Sequence, residues 1–314
     1  MAGSMKLSVI MITYNHEQYI AEAIEHVLGQ ITSFDFELVI GEDCGQDNTR
    51  NICEEYAQKY PNKVRLLPSE KNLGMHHNFL RTYHACEGEF VAICEGDDYW
   101  SDSNKLQLQV DFLEANPDYV LCSHNGIIID EIGTGQKNNM LNQAKEDFDF
   151  STADLIEKNR AATLTVVFRN NMIKTFPEWF TKFGGSDRLL YLLLSQHGKL
   201  RHLDYFGAVY RLHSGGVSIH RKVKDDKLRN IAMLKELKSQ LVFLDTVNHF
   251  FELQYDGIVL EQKRRIYVRM FLLHFSLNQY AEANALIKDG NVGWSRMTSL
   301  KDKLKYFLVL VAKK

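Results

Sequence analysis

Two rhythms of apolar and polar positions alternate along the first hundred residues. Leu7-Ser8-Val9-Ile10-Met11-Ile12 is a short run rich in β-branched residues, the pattern of a strand covered on both faces. Ile20, Ile24, Val27, Leu28 and Ile31 then recur at helical spacing and predict one buried helix face. Asn15 is placed to cap that helix, with Gln18 reaching back to the cap. Phe36 to Ile40 reads as a second strand, followed by the polar turn Glu42 to Asp47 and a helix carrying Ile52 and Tyr56 until Pro61 stops it. Val64 to Leu67 and Phe90 to Cys94 read as further strands, with a helix over Met75 to Cys86 between them. This alternation predicts an α/β fold with a mainly parallel sheet flanked by helices.

The rhythm changes after about Gly216. Leu228, Ile231, Leu234, Leu237, Leu241 and Leu244 recur at spacings of three and four, and Tyr267, Phe271, Leu272 and Phe275 do likewise. The organisation expected is a domain over residues 6–216 and a C-terminal α-helical extension over 217–314. Met1 to Met5 reads as a vector-derived remnant, and the polar stretch 133–150 as a mobile loop.

Composition changes little in this picture. The chain has 314 residues, 45% apolar and 25% charged, with a net charge of -3, which is ordinary for a globular protein and gives no reason to expect nucleic acid. Cys44, Cys53, Cys86, Cys94 and Cys122 show no Cys-x-x-Cys spacing and read as free thiols in a reducing compartment. No apolar run approaches the roughly 20 residues of a spanning helix. The expected address is cytoplasmic.

Candidate chemistry lies where two strands end. Ligands bind beyond the carboxyl ends of strands in an open parallel sheet. One strand runs into Glu42, Asp43 and Asp47, another into Glu95, Asp97 and Asp98. Clustered carboxylates raise each other's pKa, and a divalent cation is the simplest compensation; oxygen ligands select Mg²⁺ or Mn²⁺. Asp47 also suits the start of the helix that carries Ile52.

The ordered segments Ile12-Thr13-Tyr14-Asn15, Gly41 to Thr49, Asn72-Leu73-Gly74 and Gly88-Glu89-Phe90 leading to Glu95-Gly96-Asp97-Asp98-Tyr99-Trp100 resemble the family 2 glycosyltransferases of GT-A fold. The resemblance is close over about residues 6–130 and looser to Gly216. It implies an inverting transfer from a nucleotide-sugar donor, with Thr13 and Asp43 against base and ribose and Tyr14 and Asn15 beside them. Glu95 and Asp97 match the family's Asp-x-Asp acids, which makes Asp97 the metal ligand and leaves Asp98 to orient the site or touch the donor sugar. Glu42, Cys44 and Glu95 depart from the family's usual Asp, Gly and Asp.

Gly184-Gly185-Ser186-Asp187-Arg188 is similar to the family's Glu-Asp motif, with Ser186 in place of Glu, and makes Asp187 the base. Tyr210 to Gly216 also matches a family segment, in which Arg211 or His213 would neutralise the diphosphate and a neutral His213 would ligate the metal; a structural role for His213 stands beside that reading. His76 and His77 read as surface or acceptor-side residues. The Gln-x-x-Arg-Trp motif of processive members is absent, which points to addition of one sugar to a glycan or lipid-linked saccharide. Lysines flanking Tyr306 to Ala312 suit a helix on the inner face of a membrane, a helix docked on the extension, or a contact in a homo-oligomer. The sequence has no Gly-x-Gly-x-x-Gly and no P-loop; the rival from another class is an inactive sugar-nucleotide binding or scaffold protein.

Overall fold

The computed structural model describes residues 5–133, 140–216, 225–289, 291–293, 295 and 299–311, apart from the side chains of Ser186, Leu300 and Val311. The chain divides into two compact units, Met1–Ile219 and His220–Lys314. In the first, β1 (Leu7–Thr13), α1 (Ile20–Leu28), β2 (Phe36–Glu42), α2 (Thr49–Lys59), β3 (Val64–Leu66), α3 (Met75–Ala85) and β4 (Phe90–Ile93) follow the alternation read from the sequence. Next come β5 (Tyr99–Trp100), α4 (Lys105–Ala115), β6 (Tyr119–Asp130), β7 (Phe148–Phe150) and α5 (Thr152–Glu157). β8 (Val167–Arg169), α6 (Ser186–Leu194) and β9 (Lys199–Leu212) complete the unit.

The strands form one nine-stranded sheet in the order β3-β2-β1-β4-β8-β6-β9-β5, with β7 on β9. Pairing is parallel through β3, β2, β1 and β4; β8 opposes β4 and β6, and β5 and β7 oppose β9. The result is a mostly parallel mixed sheet flanked by helices. Leu7, Val9 and Met11 of β1 meet Ile20, Ala23, Ile24 and Val27 of α1 in the main core. Each buried Leu, Val, Ile or Met side chain contributes about 1.5–3 kcal/mol. The register Leu7↔Phe36 and Leu7↔Phe90 brings the ends of β1, β2 and β4 out on the same edge.

Three local expectations are corrected. Asn15 does not cap α1: it sits at φ 55°, a left-handed conformation that Asn tolerates, and His16 to Tyr19 form a turn before the helix begins at Ile20. Its Oδ1 instead accepts the Gln46 N–H at 2.8 Å. Ile31 lies past the end of α1 and is 63% exposed. The stretch 133–150 is tied to the sheet from Met140 onward: Met140 bridges Ile127, the Asn142 N–H donates to Asn125 Oδ1 at 2.9 Å, and β7 pairs with β9. Residues 134–139 of that stretch lie outside the described residues. Asp47 does serve the start of α2, accepting the Thr49 N–H at 3.0 Å.

The second unit contains α7 (Asp226–Phe250), α8 (Asp256–Ser276), α9 (Tyr280–Lys288) and α10 (Leu300–Val311). Leu234, Leu237 and Leu244 of the expected stripe are buried, whereas Leu228 and Ile231 are exposed. Val309 of α10 is buried with Phe271, Ala283 and Val292, and Tyr306 packs on the same cluster. Leu304, Phe307 and Leu308 of α10 are exposed. Among the described residues no helix is long and apolar enough to cross a membrane.

Candidate functional site

The carboxyl ends of β1, β2 and β4 open onto a cavity of about 900 Å³. Of the residues singled out in the sequence, Thr13, Tyr14, Asp43, Glu95, Asp97 and Asp187 line it. Asn15, Asp98, Arg211 and His213 are not among the lining residues, nor are His76 and His77.

At the β2 end, buried Asp43 accepts the Leu73 N–H on Oδ1 at 2.8 Å and the Gly74 N–H on Oδ2 at 2.9 Å. This fixes Asn72-Leu73-Gly74, two of which line the cavity, against the strand end. Glu42 is buried, with Oε1 accepting the Gly45 N–H at 2.5 Å and Oε2 lying 3.7 Å from Arg50. The extra methylene of Glu42 thus closes its own turn.

At the β4 end, Glu95 to Asp98 form a tight turn against β1. Gly96 is required there, since a Cβ would come within 2.5 Å of Thr13 Oγ1. Asp97 Oδ2 lies 3.0 Å from His213 Nε2 and 3.6 Å from His16 Nε2. One ligand atom from each of His16, Asp97 and His213 lies within 4.8 Å of the others. Burial pushes the Asp97 carboxyl up, but the His213 hydrogen bond and the nearby His16 outweigh it, holding Asp97 below the ordinary value. Burial lowers the pKa of His16, which keeps a lone pair free on its ring. His16 Nδ1 is 3.2 Å from Thr13 Oγ1. Two imidazoles and a carboxylate at this separation fit a divalent ion of the first transition row, which accepts nitrogen ligands more readily than Mg²⁺ does.

Glu95 and Asp98 behave differently from Asp97. Burial, and then the charges of Asp97 and Asp187, push Glu95 up to about 8. Burial, then Asp97 and Glu95, raise Asp98 well above the carboxylate range. Asp98 Oδ1 accepts the Arg211 backbone N–H at 2.9 Å, so this residue orients the turn from behind. The Arg211 guanidinium points to α1, where it bonds Glu22 at 2.5 Å between the rings of Tyr19 and Tyr99. Its charge is thereby engaged away from the cavity, at odds with the diphosphate role read from the sequence.

Asp187 sits in the first turn of α6 after Gly185, whose φ of 78° sets the sharp entry. Its Oδ2 accepts from Asn159 Nδ2 at 2.6 Å and from Thr163 Oγ1 at 3.5 Å, and Oδ1 accepts the Arg188 N–H at 2.7 Å. Burial raises the Asp187 pKa, and the hydrogen bonds from the Arg188 N–H and Asn159 partly offset the rise. A raised carboxylate held by directed donors in a cavity is equipped to take a proton.

Sequence reasoning passed over His16, although it directly follows Thr13-Tyr14-Asn15. It also passed over Asn159, which carried no signal in a polar stretch.

The description "Glycosyl transferase family 2" matches residues 8–182. An uncharacterized protein of Mycobacterium tuberculosis is 34% identical over 211 residues, 67% of this chain and 60% of the relative, so the chain spans well under the relative's full length. Staphylococcus aureus TarS (residues 1–349) with UDP-GlcNAc superposes with a TM-score of 0.54 at 20% identity, covering 87% of this chain and 84% of that one. The mannosyltransferase PcManGT of Pyrobaculum calidifontis with GDP-Man and Mn²⁺ gives 0.58 at 14% identity, covering 99% and 87%. The strand-end motifs, the cavity they surround and the match over residues 8–182 agree: the chain belongs to glycosyl transferase family 2.

Proposed function

We propose that this chain is an inverting glycosyltransferase that moves one sugar from a nucleotide-diphosphate sugar to a hydroxyl of a glycan or lipid-linked saccharide. The observation that carries this reading is that Asp97, with its two imidazoles, and Asp187, with its own donors, serve one cavity at the strand ends. Thr13, Tyr14 and Asp43 take the nucleotide. His16, Asp97 and His213 would hold a divalent ion, Mn²⁺ in preference to Mg²⁺, which when bound would supply positive charge to the diphosphate.

Asp187 takes the proton of the acceptor hydroxyl as its oxygen bonds to the anomeric carbon. The bond from that carbon to the diphosphate oxygen breaks, and the nucleoside diphosphate leaves. Attack from the face opposite the leaving group inverts the centre. UDP is the nucleotide favoured by the TarS structure with UDP-GlcNAc. A relative in Bacillus subtilis named for minor teichoic acid biosynthesis, 27% identical over 237 residues, favours a surface polysaccharide as the acceptor class. The reading places the enzyme in the cytoplasm, with the exposed apolar side of α10 available to the inner face of the membrane.

Asp187→Asn tests the base. Turnover should fall by about 10²–10⁴ while UDP still binds in the presence of Mn²⁺. Near-normal turnover would remove Asp187 from the role.

A further inference from the structure

The cavity holds a cation that nothing in the transfer reaction has claimed. Lys158 and Arg160 line it on either side of Asn159, the residue that clasps Asp187. Arg160 is held by Asp154 at 3.1 Å and faces Glu157 at 3.9 Å, yet its buried Nε has no hydrogen-bond partner. Lys158 is exposed at the C-terminal end of α5 and has no ion-pair partner among the described residues.

The carboxylates lining the same cavity are engaged elsewhere. Asp43 holds Leu73 and Gly74, Asp97 faces the two imidazoles, and Asp187 is clasped by Asn159. Glu95 belongs to the turn that carries Asp97, past the end of β4. The cavity is also lined by the amides Asn142 and Gln143 and by Phe148, which stacks on His202 with centroids 4.8 Å apart. An unpaired ammonium on the wall of a concave site attracts anions.

We infer that the acceptor carries an anionic group, a phosphodiester or a carboxylate, which binds Lys158 beside Arg160 and so brings the neighbouring hydroxyl to Asp187. This rests on the reading of the cavity as a sugar-transfer site. A purely neutral glycan would leave Lys158 without a counterpart. The amides and the Phe148–His202 pair supply contacts for the uncharged part of the same molecule.

The test is binding by calorimetry in the presence of UDP and Mn²⁺, for wild type and Lys158→Gln. The probes are a short glycerol phosphodiester oligomer, a uronate-containing tetrasaccharide and neutral maltotetraose. One or both anionic probes should bind, more weakly as salt is raised, and Lys158→Gln should weaken them by about 10-fold or more. The two anionic probes separate phosphodiester from carboxylate. The inference is overturned if maltotetraose binds as well as they do, if neither anionic probe binds, or if the variant leaves them unchanged. A loss of UDP affinity in Lys158→Gln would also overturn it, by assigning the lysine to the donor. If UDP fails to bind wild type, the sugar-transfer reading falls as well.

Discussion

Asn159→Ala should expose how the base is kept ready. Asn159 Nδ2 donates to Asp187 Oδ2 at 2.6 Å, a hydrogen bond to a carboxylate that works while it is ionised. Such bonds contribute about 1.5–3 kcal/mol, which corresponds to a loss of roughly 10- to 150-fold in kcat/KM. The sign of the pH effect follows from the same contacts. A base must be ionised to act, so activity rises with pH through its pKa. Burial already raises that pKa, and the Asn159 and Arg188 donors pull it back. Removing Asn159 raises it further and moves the acidic limb of the kcat/KM profile to higher pH, with partial recovery of rate on the alkaline side. Asn159→Asp should be worse, because it sets a second carboxylate against the first. Thr163→Ala should be mild, since that contact is 3.5 Å long. The assay is nucleoside diphosphate release across the pH range, with a thermal melt of each variant to confirm folding. An acidic limb that stays in place in Asn159→Ala, with kcat/KM unchanged below it, would refute the reasoning.

Two further outcomes follow from the geometry. Gly96→Ala would place a methyl group 2.5 Å from Thr13 Oγ1, an overpacking worth about 1–3 kcal/mol, so the melting temperature should drop by several degrees and metal-dependent nucleotide binding should weaken; unchanged melting and binding would show that the turn has room to spare. Replacing Leu304 and Phe307 by Glu should reduce co-sedimentation with anionic liposomes without lowering stability, because both are exposed while Val309 carries the packing of α10; equal pelleting of wild type and variant would remove the membrane contact.

Much of the fold was legible because the first four strands are short apolar runs separated by helices with one buried face. Leu7 to Ile12 and Phe90 to Cys94 have few polar positions, and burial on both faces explains why. β6 and β9 were harder to see. They are long strands that carry the buried polar residues Ser123, His124, Asn125, His202 and Arg211, which break the apolar pattern and make contacts, such as Ser123 with His202 and the Arg211 N–H with Asp98, that depend on distant parts of the chain. Asn15 misled because a residue that favours helix caps also tolerates left-handed backbone, and nothing local distinguishes the two uses.

In the site, Asp43, Asp97 and Asp187 could be placed because strand ends and a helix start fix them along the chain. Arg211 could not, since its direction depends on Glu22, which lies 189 residues away. His16 and His213 meet at Asp97 only through the fold, so neither spacing nor composition could pair them.

The most direct test is the thermal shift produced by UDP with Mn²⁺ and after chelation, in wild type and in Asp97→Asn. UDP should raise the melting temperature of the wild type only when Mn²⁺ is present, and Asp97→Asn should lose that shift. A shift from UDP that survives chelation and the Asp97 substitution, or no shift with UDP and Mn²⁺ at all, would contradict the assignment of this cavity to metal-dependent sugar transfer.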